Sequence, residues 1–357
     1  NQAPWAISLY CQISADLSSS GEIGLCEGKP LSGKDVINSK HFWKKVSARH
    51  ALWLNVVFWG GGILVGFASV LMTYASTQAE HFFRHIILAH TYLPLVTTPF
   101  VFLLVTLAIK LCCPMAAGSG VPQVIAALNT KNYKFFLGLR AIIGKFLLLV
   151  ALMFGAVIGR EGPIVQIGAG LMLALYPLIK NEKFDLKPLM VMAGGAAGIA
   201  AAFAAPLGGI MFAIECLIRR FEAKISTVFL GAVALSSIVG YFVLGHYAYF
   251  GTANANISTL QGWLATLVCA ILGGLLGGVF TIIFVNIIRV VRHFRLIPAM
   301  LVSLCFGFIV VGLGYLSHGQ IYGSGYQQAA EIIAGHQYPV SFTFYKMLGT
   351  IFSVASG

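Results

Sequence analysis

Two short stretches of the chain hold residues whose types and spacing could do chemistry. The first, Gly159-Arg160-Glu161-Gly162-Pro163, sets a cation beside an anion between two apolar runs, LLLVALMFGAVI before it and IVQIGAGLMLAL after it. Pro163 suits the first turn of a helix, where the N–H it lacks would be unpaired in any case. The stretch therefore reads as the opening of a helix at Glu161. A helix N-terminus offers unpaired N–H donors and a partial positive charge, and so it receives anions. A carboxylate there fills that place itself, and a free anion can enter when the carboxylate is protonated or swings aside. The chemistry is competition between a tethered anion and a mobile one. The second stretch, Gly118-Ser119-Gly120-Val121-Pro122, presents one hydroxyl and accessible backbone N–H groups ahead of a short helix. That combination suits a weakly held, partly dehydrated halide.

Other ionisable groups near these corners have two readings each. Arg160 either faces a permeation path or is held by backbone carbonyls or Glu215 and contributes fixed positive potential. Lys145, sixteen residues before Glu161, either raises the local potential for anions or snorkels toward a polar boundary. Glu215, just ahead of Cys216 and the pair Arg219-Arg220, is a salt-bridge partner or a proton carrier. Glu331 reads as a solvated or interfacial residue. The small-residue run Gly194–Glu215 reads as close helix packing, with Phe203 placed to line a path before the break at Ala205-Pro206. Nine histidines lie mostly at loops or helix ends. None offers a base to Ser119 or Ser356, so an intramembrane serine hydrolase would leave the glutamate corner unexplained.

The elements that must position these corners are membrane helices. Of 357 residues, 58% are hydrophobic and 10% charged, with a mean hydropathy of +0.87, whereas soluble domains carry about 25% charged residues. The 40 glycines fit helices whose backbones approach closely in lipid. Strict alternation is absent, which argues against a barrel. The net charge of +12 sits mostly in short loops, a topology signal that also favours anions in a pore and gives no reason to expect nucleic acid. Seven cysteines without CxxC spacing predict neither a metal nor a redox framework, and no cofactor is expected. Lys40, His41, Lys44, Lys45, Arg49 and His50 flank the first span, which predicts a cytoplasmic N-terminus.

Apolar segments are expected at about 51–78, 86–113, 141–158, 161–179, 188–203, 206–218, 226–250, 259–290, 297–316 and 341–355, and a span needs about 20 residues. Several are too short or are broken by glycine and proline, as in transporters built from discontinuous helices. A weak internal repeat supports that architecture. GGILVGF at Gly61–Phe67 resembles GGLLGGV at Gly273–Val279, 212 residues on, and GSGVPQVIAAL at Gly118–Leu128 resembles GSGYQQAAEII at Gly323–Ile333, 205 residues on. The organisation expected is a polar N-terminal segment over 1–50, a first transmembrane repeat over 51–255 and a second over 256–357. On this register the second copy of the glutamate corner falls near position 364, so the second repeat is expected to be truncated.

The GSGVP, GREGP and GGAAGIAAAFAAPLGGIMFAIE stretches, in that order, resemble the voltage-gated chloride channel and chloride/proton antiporter (CLC) family from about residue 50 onward. The resemblance implies an all-α integral membrane protein, a multi-span bundle of tilted and broken helices in an inverted repeat, that assembles as a homodimer in the lipid bilayer. It implies chloride as the substrate and no enzymatic activity. Ser119 is similar to the family's central chloride-coordinating serine, with Gly118 and Gly120 beside it, and Glu161 to its external gating glutamate. The N–H groups of Gly162, Pro163's neighbour Ile164 and the turn between them would face the anion. Serine at 119 resembles chloride-preferring members. Antiporters of the family often carry a second, internal proton glutamate where this chain has Cys216, and Glu215 matches the residue before it. The expectation is chloride/proton exchange gated by Glu161. The alternatives are a passive channel, which Cys216 would suit because a cysteine is a poor proton relay at neutral pH, or a transport-incompetent fragment if the protein ends at Gly357.

Overall fold

A computed structural model describes residues 48–89, 92–179, 185–217, 227–245, 250 and 260–356. The N-terminal segment, with most of its basic cluster, lies outside the described residues. No strand occurs among the described residues. The helices in chain order are α1 (Ala48–Ala89), α2 (Pro94–Leu111), α3 (Val121–Thr130), α4 (Tyr133–Leu137), α5 (Leu139–Leu152), α6 (Glu161–Ala174), α7 (Lys187–Phe203), α8 (Pro206–Phe212), α9 (Thr227–Leu244), α10 (Leu260–Arg292), α11 (Leu296–Leu316), α12 (Tyr326–Ile333) and α13 (Val340–Ala355). Six stretches are long and apolar enough to cross a membrane: Ala51–Ile87, Pro94–Leu111, Tyr133–Leu152, Thr227–Leu244, Leu260–Val291 and Leu296–Leu316. The protein is a multi-span, all-α integral membrane protein.

Three element boundaries differ from the sequence expectation. The apolar stretch 86–113 is not one helix: α1 runs on to Ala89, and Pro94 opens α2 at its first position. Helix α5 ends at Leu152, ahead of the expected 158, and Gly155 follows in a left-handed conformation (φ 104°). The chain from 156 to 159 is then without regular secondary structure up to the glutamate corner. Helix α8 stops at Phe212 and continues as a wider π turn, Ala213–Leu217, which carries Glu215 and Cys216. The break at Ala205-Pro206 is present: Ala204 ends α7 in a left-handed conformation (φ 49°) and Pro206 begins α8.

Contacts divide the chain into two compact units. The first comprises Asn1–Thr73, Ser119–Phe146 and Glu161–Gly245, and the second Tyr74–Gly118, Leu147–Arg160 and His246–Gly357. The core of the first is built by Phe58 on α1, Val124 on α3, Met172 on α6, Met190 on α7 and Phe229 on α9. Its helices meet through glycines. A Cβ on Gly168 of α6 would lie 2.4 Å from the carbonyl oxygen of Gly194 on α7, and one on Gly194 would lie 2.3 Å from that of Gly168. Gly62 of α1 meets the Ala232 backbone of α9 in the same way. Side-chain hydroxyls reinforce these seams, as when Ser236 Oγ donates to Ala197 O at 2.8 Å.

The second unit packs Phe83 of α1 edge-on against Tyr322 at 5.2 Å and Gly307 of α11 against the Pro99 backbone of α2. The segment before the glutamate corner is tied here. Val157 N donates to Ser353 Oγ of α13 at 2.9 Å, and Gly323 N to Ala156 O at 3.0 Å.

The two runs of the internal repeat are packed unlike each other. Gly61, Gly62 and Gly66 of α1 are crowded, whereas Gly273, Gly274, Gly277 and Gly278 of α10 have nothing within 4 Å. A paired substitution separates packing from propensity. Gly194→Ala should destabilise the protein by about 1–3 kcal/mol through overpacking. Gly274→Ala should lose nothing and gain up to about 1 kcal/mol of helix propensity. Thermal unfolding in one detergent compares them directly, and equal midpoints for the two variants would refute the seam.

Candidate anion site

Both corners read from the sequence lie at helix starts, and the first unit brings part of them into contact. Glu161 is the first residue of α6, and Pro163 and Ile164 in the same turn are buried. Gly118 (φ 73°) and Gly120 (φ 105°) take left-handed conformations on either side of Ser119. This is why the serine stands between two glycines: only they adopt this backbone without strain. The corner then turns straight into α3 at Val121.

Gly120 is pressed onto Gly162. A Cβ on Gly120 would fall 2.5 Å from Gly162 O, and one on Gly162 would fall 2.3 Å from Ser119 O and 3.2 Å from Ser119 Cβ. The backbone of the serine corner therefore rests on the first turn of α6. Ser119 itself is exposed, and Glu161 and Gly162 are half-buried. One donor of the serine corner is already engaged, since Gly120 N donates to Gln123 Oε1 at 3.0 Å. The sequence reading did not single out Gln123. Its position three residues into the helix is the spacing of a capping box, and that spacing was a usable signal.

The described buried side chains that carry charge are Lys145 and Arg160, at 3% and 7% exposure, both basic. Lys145 lies on α5 in the first unit and is enclosed by protein. Arg160 belongs to the second unit. Its NH1 group donates to Thr77 Oγ1 at 2.8 Å and to Ser76 Oγ at 3.2 Å, and its guanidinium lies over the Tyr326 ring at 4.8 Å. Neither α1 hydroxyl nor the Tyr326 ring was among the expected partners, and residues 83 or more positions apart give no local signal of such a contact. Glu215 is exposed and Cys216 half-buried on the π turn. Glu331 is half-buried on α12 and accepts hydrogen bonds from Tyr338 and Gln327, which hold its carboxyl below the usual carboxylate range.

Backbone N–H groups at the start of α6 and a hydroxyl at a glycine corner seated on that start suit a dehydrated anion.

Comparison with known proteins agrees with this architecture. The chain is 32% identical over 233 residues to the H(+)/Cl(-) exchange transporter ClcA of Vibrio cholerae serotype O1, covering 58% of this chain and 46% of the relative. It is 34% identical over 185 residues to ClcA of Vibrio parahaemolyticus, covering 50% of this chain and 38% of the relative. The chain thus spans about half the length of the curated relatives it matches, or less. These relatives are named as exchange transporters, not as enzymes. Two solved structures share the fold. A CLC-type fluoride/proton antiporter has a TM-score of 0.72 at 23% identity, covering 87% of this chain and 77% of that one. A slow cyanobacterial Cl-/H+ antiporter has a TM-score of 0.71 at 18% identity, covering 88% and 75%. The model of the family described as voltage gated chloride channel matches residues 100–357. With a match over more than half its length, the chain belongs to the voltage gated chloride channel family.

Proposed function

We propose that the full-length protein exchanges chloride for protons across a membrane, with Glu161 as the gate and the proton-carrying group. The observation that carries this reading is the seating of the Ser119–Gly120 backbone on Gly162, directly after Glu161 at the head of α6. Chloride lies between Ser119, with Gly118 and Gly120 around it, and the first turn of α6 at Gly162, Pro163 and Ile164. The carboxylate of Glu161 competes for the same place, and protonation releases it. The exchange reading is supported by the names of the relatives and of the structures that share the fold. Lys145 and Arg160 add positive potential. Glu215 and Cys216 mark an internal proton route that lacks the second glutamate many family antiporters carry. The N-terminus lies in the cytoplasm and the protein works as a homodimer.

The test uses the full-length protein in chloride-loaded liposomes, recording chloride efflux and external pH together for wild type and Glu161→Gln. Wild-type efflux should drive proton uptake, and the variant should move chloride without protons. Chloride efflux from wild type with no pH change would make the protein a passive channel, with Cys216 the reason. No chloride movement in either protein would overturn the anion site.

A further inference from the structure

The two glycine-serine-glycine corners share a sequence pattern and positive φ at both glycines. Gly323 (φ 78°) and Gly325 (φ 87°) repeat the positive φ of Gly118 and Gly120, and α12 starts at Tyr326 as α3 starts at Val121. Their surroundings differ. Ser119 is exposed. Ser324 is held by a carboxylate of the chain itself: Glu80 Oε2 on α1 accepts from Ser324 N at 3.4 Å and from Ser324 Oγ at 3.3 Å. A Cβ on Gly323 would lie 2.1 Å from the Glu80 carboxyl carbon, so glycine at this position makes room for that carboxylate. Arg84, one turn further along α1, pairs with Glu80 Oε1 at 3.2 Å. From α13, Lys346 Nζ donates to the carbonyls of Ile321 at 2.7 Å and Gly323 at 2.9 Å. The second corner is thus fastened from two helices.

What this fastened corner presents is Tyr326. The ring stacks on Phe250 at 5.5 Å and lies under the Arg160 guanidinium at 4.8 Å. The same stretch of α1 that supplies Glu80 also supplies Ser76 and Thr77, the hydroxyls that accept from Arg160. A planar guanidinium suits this cradle, since it stacks on a ring while donating in its own plane, and an ammonium does not. Arg160 is the residue immediately before Glu161. Fixing its side chain restrains the backbone at the residue that Glu161 follows.

We propose that the second corner is a mount for the gate, with Tyr326, Thr77 and Ser76 as positioning residues that act on Glu161 through Arg160. This rests on the proposed role of Glu161 as gate. The corner filled by Glu80 is a fixed support, and the corner with the exposed serine is left for the mobile anion. Loosening the mount widens the positions open to the Glu161 carboxyl, so chloride slips past without a proton.

The test records chloride and proton flux together in liposomes of the full-length protein. Thr77→Val and Tyr326→Leu should each raise the chloride moved per proton by about five-fold, the effect of one partly desolvated cation–π contact or charge-assisted hydrogen bond. Thr77→Ser and Tyr326→Phe keep the hydroxyl or the ring and should retain the wild-type ratio. If Thr77→Val and Tyr326→Leu only slow both fluxes in proportion, the residues are merely structural and the proposal fails. Glu161→Gln is run alongside. Should it leave the ratio unchanged, the gate reading itself is wrong; should it uncouple transport while the mount variants keep the wild-type ratio, only the mount is wrong. A variant that does not fold is replaced by Arg160→Lys, which keeps the charge, loses the stack and carries the same expected rise.

Discussion

Gly162→Ala should cut chloride flux per folded protein by about 100-fold, and Gly120→Ala should do at least as much. The added methyl of the first would lie 2.3 Å from Ser119 O, and that of the second 2.5 Å from Gly162 O. Neither contact is with the end of a flexible side chain. Backbone must move, and a site displaced by about 1 Å loses on the order of 100-fold in activity when it depends on preorganised donors. Gly120→Ala carries a further cost of about 1–2 kcal/mol, because φ there is 105° and an L-residue resists it. Gly208→Ala is the control: its methyl would meet only Ala205 Cβ at 3.5 Å, an ordinary contact, and flux should match wild type. Liposome flux normalised to reconstituted, monodisperse protein separates transport from expression. Full flux from Gly162→Ala would mean that the serine corner need not rest on α6.

Lys145→Met should raise the chloride concentration needed for half-maximal flux by about 15-fold, and Lys145→Glu should raise it further. For scale, two unit charges roughly 10 Å apart at an effective dielectric of about 20 attract by about 1.7 kcal/mol. Lys145 is 3% exposed, so water screens it little. The methionine variant keeps the volume of the side chain and removes a charge from the interior, so it should fold at least as stably as wild type. Lys145→Arg keeps the charge and should keep the affinity. An unchanged chloride dependence in Lys145→Met would show that the ammonium does not act on the anion, whatever its burial.

Much of this arrangement is written locally in the chain. The helix start at Glu161 follows from Pro163 in the first turn, and the break at Ala205-Pro206 follows from proline chemistry. The glycines flanking Ser119 foretell the left-handed turn that they make. What was not legible depends on distance or on competing local preferences. Helix α1 continues through Gln78, Glu80 and His81, where falling hydropathy suggested an end, because glutamine, alanine and glutamate are good helix formers. The cradle of Arg160 joins residues 83 and 84 positions apart, and the fastening of Ser324 by Glu80 spans 244. No periodicity or spacing rule reaches that far. The repeat drew attention to Gly323–Gly325 but not to the different surroundings of the two serines.

The length of α6 bears on how the protein is made. Its 14 residues rise about 21 Å, well short of the roughly 30 Å of hydrocarbon that a spanning helix must cross. Glu161 at its head adds a charge whose insertion cost such a short helix cannot offset. The 33 residues of α10 and the 42 of α1 can each enter a bilayer alone. During synthesis, then, the long helices can be threaded first and α6 carried in only once neighbours stand ready to enclose it. The helix proposed here to carry the gate is thus one that cannot enter the membrane without the rest of the chain.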